Sequence, residues 1–94
     1  MRYQIEINIH VPYGLGFRWR AAGKSLAYLE ARALRWMQSA TLAEHFARWP
    51  GKQERAMWAL TACGRRVRAD RRSAAEGTES IDFNVTVYRI PAMR

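Results

Sequence analysis

The sequence predicts an α+β domain: an antiparallel three-stranded sheet, with elements in the order β-β-α-α-α-β and the helices packed on one face. Two segments near the ends of the 94-residue chain predict the sheet. Tyr3, Ile5, Ile7, Ile9 and Val11 alternate with Arg2, Gln4, Glu6, Asn8 and His10; Ile81, Phe83, Val85 and Val87 alternate with Asp82, Asn84, Thr86 and Tyr88. Strand side chains project to opposite faces with a period of two, so each segment has one apolar and one polar face. The middle of the chain predicts the cover, because its apolar residues recur at helical spacing. The length allows one core, hence a single domain over 1–94.

The elements follow in order. Pro12, Gly14 and Gly16 mark a turn after the first strand. Phe17, Trp19 and Ala21 then alternate with Arg18 and Arg20, which predicts a second strand in hairpin with the first. Ser25 is placed to cap a helix over 25–39, whose stripe is Leu26, Leu29, Ala33, Trp36 and Met37. Thr41 and Glu44 have the spacing of a capping box, marking either a short second helix or a kink in one long helix. Leu42, Phe46 and Trp49 form the stripe there. Pro50 biases Trp49 away from helical torsions and suits the first turn of a helix over 50–69. That helix buries Ala56, Met57, Leu60, Cys63, Gly64 and Val67, with Gly64 the point of close packing, and turns Arg55, Arg65, Arg66 and Arg68 outward. The small polar run over 73–80 reads as an exposed loop. Pro91 ends the closing strand, and a frayed tail over 91–94 is expected. Pairing the terminal strands puts the first strand in the middle of the sheet and leaves the far sheet face polar and open.

Sixteen basic residues against eight acidic ones give a formal charge of +8. A charge of that sign favours a polyanionic partner, nucleic acid or nucleoprotein, although Arg-rich composition also accompanies GC-rich coding sequence. The single cysteine, Cys63, excludes an intramolecular disulfide and a Cys-based zinc site, which suits a reducing compartment. The first residues lack the apolar core of a signal peptide, and no apolar run approaches the roughly 18 residues of a membrane span. A cytoplasmic protein with no membrane partner is therefore expected. No metal-ligand spacing appears, and Gly23-Lys24-Ser25 is not a phosphate loop, because Arg18 stands where that motif needs its first glycine. No cofactor is expected.

The densest charge is Arg65, Arg66, Arg68, Arg71 and Arg72, at the end of the third helix. The planar guanidinium donates two parallel hydrogen bonds to phosphate or carboxylate. Cations also complement a helix C-terminus, which accounts for one or two of these arginines and not for all. On the open sheet face Arg2, His10, Arg18, Arg20 and Tyr88 stand among Gln4, Asn8, Asn84 and Thr86. Such a face can hold a single nucleic-acid strand, although a solvated or protein-binding face has the same composition. The predicted partner-binding residues are Arg65, Arg66, Arg68, Arg71 and Arg72, then Arg18 and Arg20. His10 and His45 are the one pair with general acid and base chemistry for RNA cleavage, should the fold bring them together. Trp36, Trp49 and Trp58 are expected in the core or half exposed at a protein interface.

The segments RYQIEINIHV, FRWRAAGKSLAYLEARAL and IDFNVTVYRI form a strand, a strand running into a helix, and a closing strand. In this layout the chain resembles small phage and mobile-element inhibitors of the anti-CRISPR type. The resemblance implies a compact, non-enzymatic domain that engages a CRISPR-Cas effector, a protein or nucleoprotein complex, through a charged surface. Many such inhibitors are acidic DNA mimics; this chain is basic, so its arginines would meet acidic or nucleic-acid surfaces. No functional residue carries over by position. In size and basicity the chain is also similar to small ribosome-dependent endoribonuclease toxins, which implies His10, His45 and the arginine cluster as a catalytic set. Those toxins place several consecutive strands after their helices, whereas one is expected here. The reading favoured on these grounds is a binding protein without catalytic residues.

Overall fold

In a computed structural model, which describes residues 1–91, the chain forms β1 (Arg2–Ile9), β2 (Phe17–Gly23), α1 (Leu26–Met37), α2 (Ala40–Arg48), α3 (Pro50–Ala69), β3 (Ala74–Glu79) and β4 (Phe83–Ile90). Beyond Pro91, the tail expected to fray lies outside the described residues. The α+β class holds, but the sheet has four antiparallel strands in the order β2-β1-β4-β3, not three. The extra strand is the segment expected to loop over 73–80. Its small residues are there because α3 crosses close to it. A Cβ on Gly77 would stand 2.9 Å from the Ala59 Cβ and 3.4 Å from the Cys63 Sγ. Such composition resembles a loop, yet the backbone pairs fully with β4, from Ala74 opposite Tyr88 to Glu79 opposite Phe83.

A second correction follows from the same hairpin. Ile81, expected on the apolar face of the closing strand, is 85% exposed in the turn between β3 and β4, which the Asp82 amide closes by donating to the Glu79 carbonyl at 2.8 Å. The strand therefore begins at Phe83. Its inward residues meet those of β1 directly across the ladder: Ile5 faces Val87, Ile7 faces Val85 and Ile9 faces Phe83. All six are buried, and α1 covers them with Leu26, Leu29, Ala33 and Met37. Leu42 and Phe46 of α2 and Ala56, Leu60, Cys63 and Val67 of α3 complete one continuous core.

The helix ends show which local signals prevailed. The Ser25 Oγ accepts from the Tyr28 amide at 3.2 Å, as expected of an N-cap. The capping box at Thr41 and Glu44 does not form. The short-helix alternative is the observed one, but α2 starts at Ala40, so Thr41 already lies inside its first turn. Ser39 occupies the cap position, and its hydroxyl donates back to the Trp36 carbonyl at 2.7 Å. Pro50 opens α3 as predicted, after Trp49 leaves helical torsions at φ −132° and ψ 63°. Met57 is only partly buried on α3, whereas Lys52, absent from the predicted stripe, is buried and donates its ammonium to the His10 carbonyl.

This path sorts the chain between two ends. The start of β1, the end of β2, the start of α1, the end of α3, the start of β3 and the end of β4 lie at one end. The β1–β2 loop, α2, the start of α3 and the β3–β4 turn lie at the other, joined by the Lys52 bond and by the His10 amide donating to the Asp82 carbonyl at 2.9 Å. The 20 residues of α3 span about 30 Å between the two.

Candidate binding surface

The predicted arginines are all exposed, but they do not form one surface. Successive helical residues turn by 100°, so Arg65, Arg66 and Arg68 leave α3 in three directions. Arg68 faces α1, where its guanidinium pairs with Glu30 at 3.2 Å. Burial outweighs that neighbour and raises the Glu30 carboxyl above the usual carboxylate range. Arg66 leaves on the flank facing β3, close enough to Cys63 to act against the burial that pushes its thiol up. Arg65 points directly away from the core, between these two.

Arg71 and Arg72 lie beyond the helix. Arg71 takes φ 54°, the only positive φ outside glycine among the described residues. This left-handed residue reverses the chain, so that the Arg72 amide reaches back at 3.5 Å to the Arg66 carbonyl, which already accepts the last helical bond from the Asp70 amide at 3.2 Å. The conformation costs an L-residue roughly 1–2 kcal/mol and is ordinarily given to glycine. The topology then adds cations that the cluster in the sequence does not include. Arg2, Lys24 and Arg89 belong to the same end of the sheet, at the start of β1, the loop before α1 and the end of β4. Arg89 sits half-buried beside Tyr3 in register, and its Nε is buried without a partner. Register placed these three, and no local sequence signal could have joined them to Arg65 and Arg72.

Arg18 and Arg20 stand apart from this end. They project from β2 on the open sheet face, the side of the sheet away from α3. Arg18 donates its Nε–H to the Asn8 Oδ1 at 3.1 Å, and Asn8 donates in turn to the Asn84 Oδ1 at 3.2 Å. Arg20 faces Glu6 in register at 3.6 Å, and Glu6 also accepts from Gln4 at 3.0 Å. The polar face is thus bonded across three strands, and part of its hydrogen-bonding capacity is already used.

The two histidines are not assembled into a pair. His10 is held through its backbone, between Asp82 and Lys52, and no hydrogen bond or ring contact joins it to His45 among the described residues. His45 packs its ring against Phe17 and Phe46, at 5.8 and 5.4 Å between centroids. Burial lowers its pKa, and Lys52 and Arg48 lower it further against the opposing pull of Asp82. It lines an open cleft of about 520 Å³ with Glu44, Arg48, Trp49 and the exposed Tyr13 and Leu15 of the β1–β2 loop. That loop turns at Gly16, whose φ of 74° and approach to the Ile9 carbonyl leave no room for a side chain.

The tryptophans divide. Trp36 is half-buried with its ring 6.4 Å from that of Trp19, but Trp49 and Trp58 are 51% and 71% exposed and do not join the core. Among the described residues no group of His, Cys, Asp and Glu is arranged to hold a metal ion, and no helix is long and apolar enough to cross a membrane. The chain matches no protein-family model, no curated protein and no solved structure. Its fold and charge distribution therefore define it only as a small basic α+β domain with a cationic end.

Proposed function

We propose that the protein is a binding module that engages a phosphate-bearing nucleoprotein through its cationic end. The observation that carries this reading is that Arg2, Lys24, Arg65, Arg66, Arg71 and Arg72 lie toward one end of the molecule, on more than one of its faces, without an ion pair among the described residues. Like charges so placed repel one another and weaken the fold, an expense that binding a polyanion relieves. Arg71 supports the same reading, since an arginine stands where glycine is the more stable choice. A CRISPR effector ribonucleoprotein is one partner of this chemistry. The resemblance to anti-CRISPR proteins is one of layout and assigns no residue.

The test is fluorescence anisotropy with labelled double-stranded DNA and single-stranded RNA between about 50 and 200 mM salt. Affinity is expected to fall steeply with salt, and Arg65→Ala with Arg72→Ala to reduce the log–log slope by about 2 on duplex DNA. Arg71→Gly separates function from stability. It is expected to raise the unfolding free energy by about 1 kcal/mol while weakening binding. Absence of binding at the lowest salt would exclude nucleic acid as the ligand and leave an acidic protein surface.

A further inference from the structure

At the end of the molecule away from the cationic surface, the edge of the sheet and the side of α3 form a groove of about 540 Å³. Its floor is Ala59, Gly77 and Phe83, and its wall is Trp58, whose indole is 71% exposed. The groove runs beside β3, which pairs only with β4 among the described residues and so offers unpaired backbone donors and acceptors along its outer side. Edge strands are usually protected by charged side chains, proline or a bulge; β3 reads Ala-Ala-Glu-Gly-Thr-Glu, without proline or lysine, and the charges it carries, Glu76 and Glu79, repel acidic strands and attract basic ones.

The charge around the groove identifies an occupant. Half of the chain's eight acidic residues, Glu54, Glu76, Glu79 and Asp82, lie on or beside this groove and edge. Arg55, the basic residue that lines the groove, is held between Glu79 at 2.9 Å and Asp82 at 2.8 Å. Glu54 makes no ion pair among the described residues, and it stands one helical turn before Trp58 on the same side of α3. A carboxylate beside an exposed indole is a recognition surface for a guanidinium or ammonium, through charge and the face of the ring together. In a protein of net charge +8 this is a local island of opposite sign.

We propose that β3 and the Trp58 groove take up an extended cationic peptide segment of a partner protein, added to the sheet as a fifth strand. Backbone pairing with β3 supplies register. Alternate side chains of the incoming strand point toward α3, where an arginine or lysine lies over Trp58 with its charge at Glu54 and Glu79. The cationic end and this groove face different partners, or different parts of one.

The test uses the whole chain, ¹⁵N-labelled, titrated with a peptide of alternating arginine and valine and, separately, with its glutamate–valine counterpart. Saturable binding of the basic peptide is expected, with shifts confined to the amides of Ala74–Glu79 and the Trp58 indole. Backbone N-methylation of the peptide should abolish it. Trp58→Ala, at an exposed position that leaves the fold intact, should weaken affinity about tenfold or more; Glu54→Gln should weaken it and flatten its salt dependence. Three results overturn the proposal: no saturable binding of the basic peptide, equal binding of the acidic one, or unchanged affinity in both variants. Sedimentation showing a dimer in which Trp58 is buried would also overturn it, by making a second copy of the chain the occupant.

Discussion

At the scale of single residues, two glycines occupy crowded positions with opposite consequences. A Cβ on Gly64 would collide with the carboxylate of Glu30, 1.6 Å from Oε1, but that is the far end of a side chain that can turn away. A Cβ on Gly77 meets the Ala59 Cβ, with the Ala59 Cα behind it at 3.6 Å, and these move only if α3 moves. Gly77→Ala is expected to destabilise by about 1–3 kcal/mol, as overpacking does. Gly64→Ala should stay within about 0.5 kcal/mol of the parent, because better helix propensity offsets the displaced Glu30; urea unfolding measures both. His45 carries a second expectation. Its folded pKa lies below the ordinary value of 6.5, so the stability it contributes is present above that value and lost as pH falls through the lowered one. His45→Phe keeps the ring contacts and removes the unpartnered Nε2. Its melting temperature at neutral pH should be equal or higher, with a flatter decline below about pH 6.5.

At the scale of elements, Arg68 is part of the fold more than of the binding surface. It joins α3 to α1 through Glu30, whose side chain is only 14% exposed. Because burial raises the Glu30 pKa, its ionised form opposes folding above that pKa, and protonation relieves the cost as pH falls. Arg68→Ala removes the compensating charge, so its destabilisation should be fully expressed at neutral pH and fade toward about pH 4. The loss is expected to be under about 1 kcal/mol, since the guanidinium is half exposed. Melting curves of the two proteins across that range should converge at the acid end. Parallel curves would mean that Arg68 acts through packing of its alkyl stem instead. The edge strand β3 belongs to this scale too. It is stable as a strand because β4 pairs with it and α3 covers Ala75, and its own residues have little strand preference.

Across the whole molecule, the fold separates charges that the sequence intermixes. Glu54, near the acidic residues of the β3–β4 turn, lies about 17 Å along the α3 axis from Arg65, and Arg71 and Arg72 stand farther away, beyond the end of that helix. A comparison of pairs tests whether this polarity matters to binding. Arg71→Ala with Arg72→Ala is expected to weaken polyanion binding much more than Arg18→Ala with Arg20→Ala, since the latter pair is already bonded to Asn8 and Glu6 on the open face. Equal losses would mean that net charge alone drives association, and that its distribution does not.

The sequence by itself determined β1, β2, β4 from Phe83 onward, α1, α3, the Ser25 cap and the Pro50 boundary, and left α2 open between a separate helix and a kink. Period-two and helical spacing, a capping hydroxyl and a proline act over neighbours in the chain, and the core merely agrees with them. Only the tertiary structure decided that residues 74–79 form a strand, because their pairing is with β4 and their smallness answers to α3. It alone paired Arg68 with Glu30 and brought Arg2, Lys24 and Arg89 to the end where Arg72 stands. Composition could announce a basic protein; which cations share a surface depends on sheet register and helix direction, which arise from contacts between residues far apart in the chain.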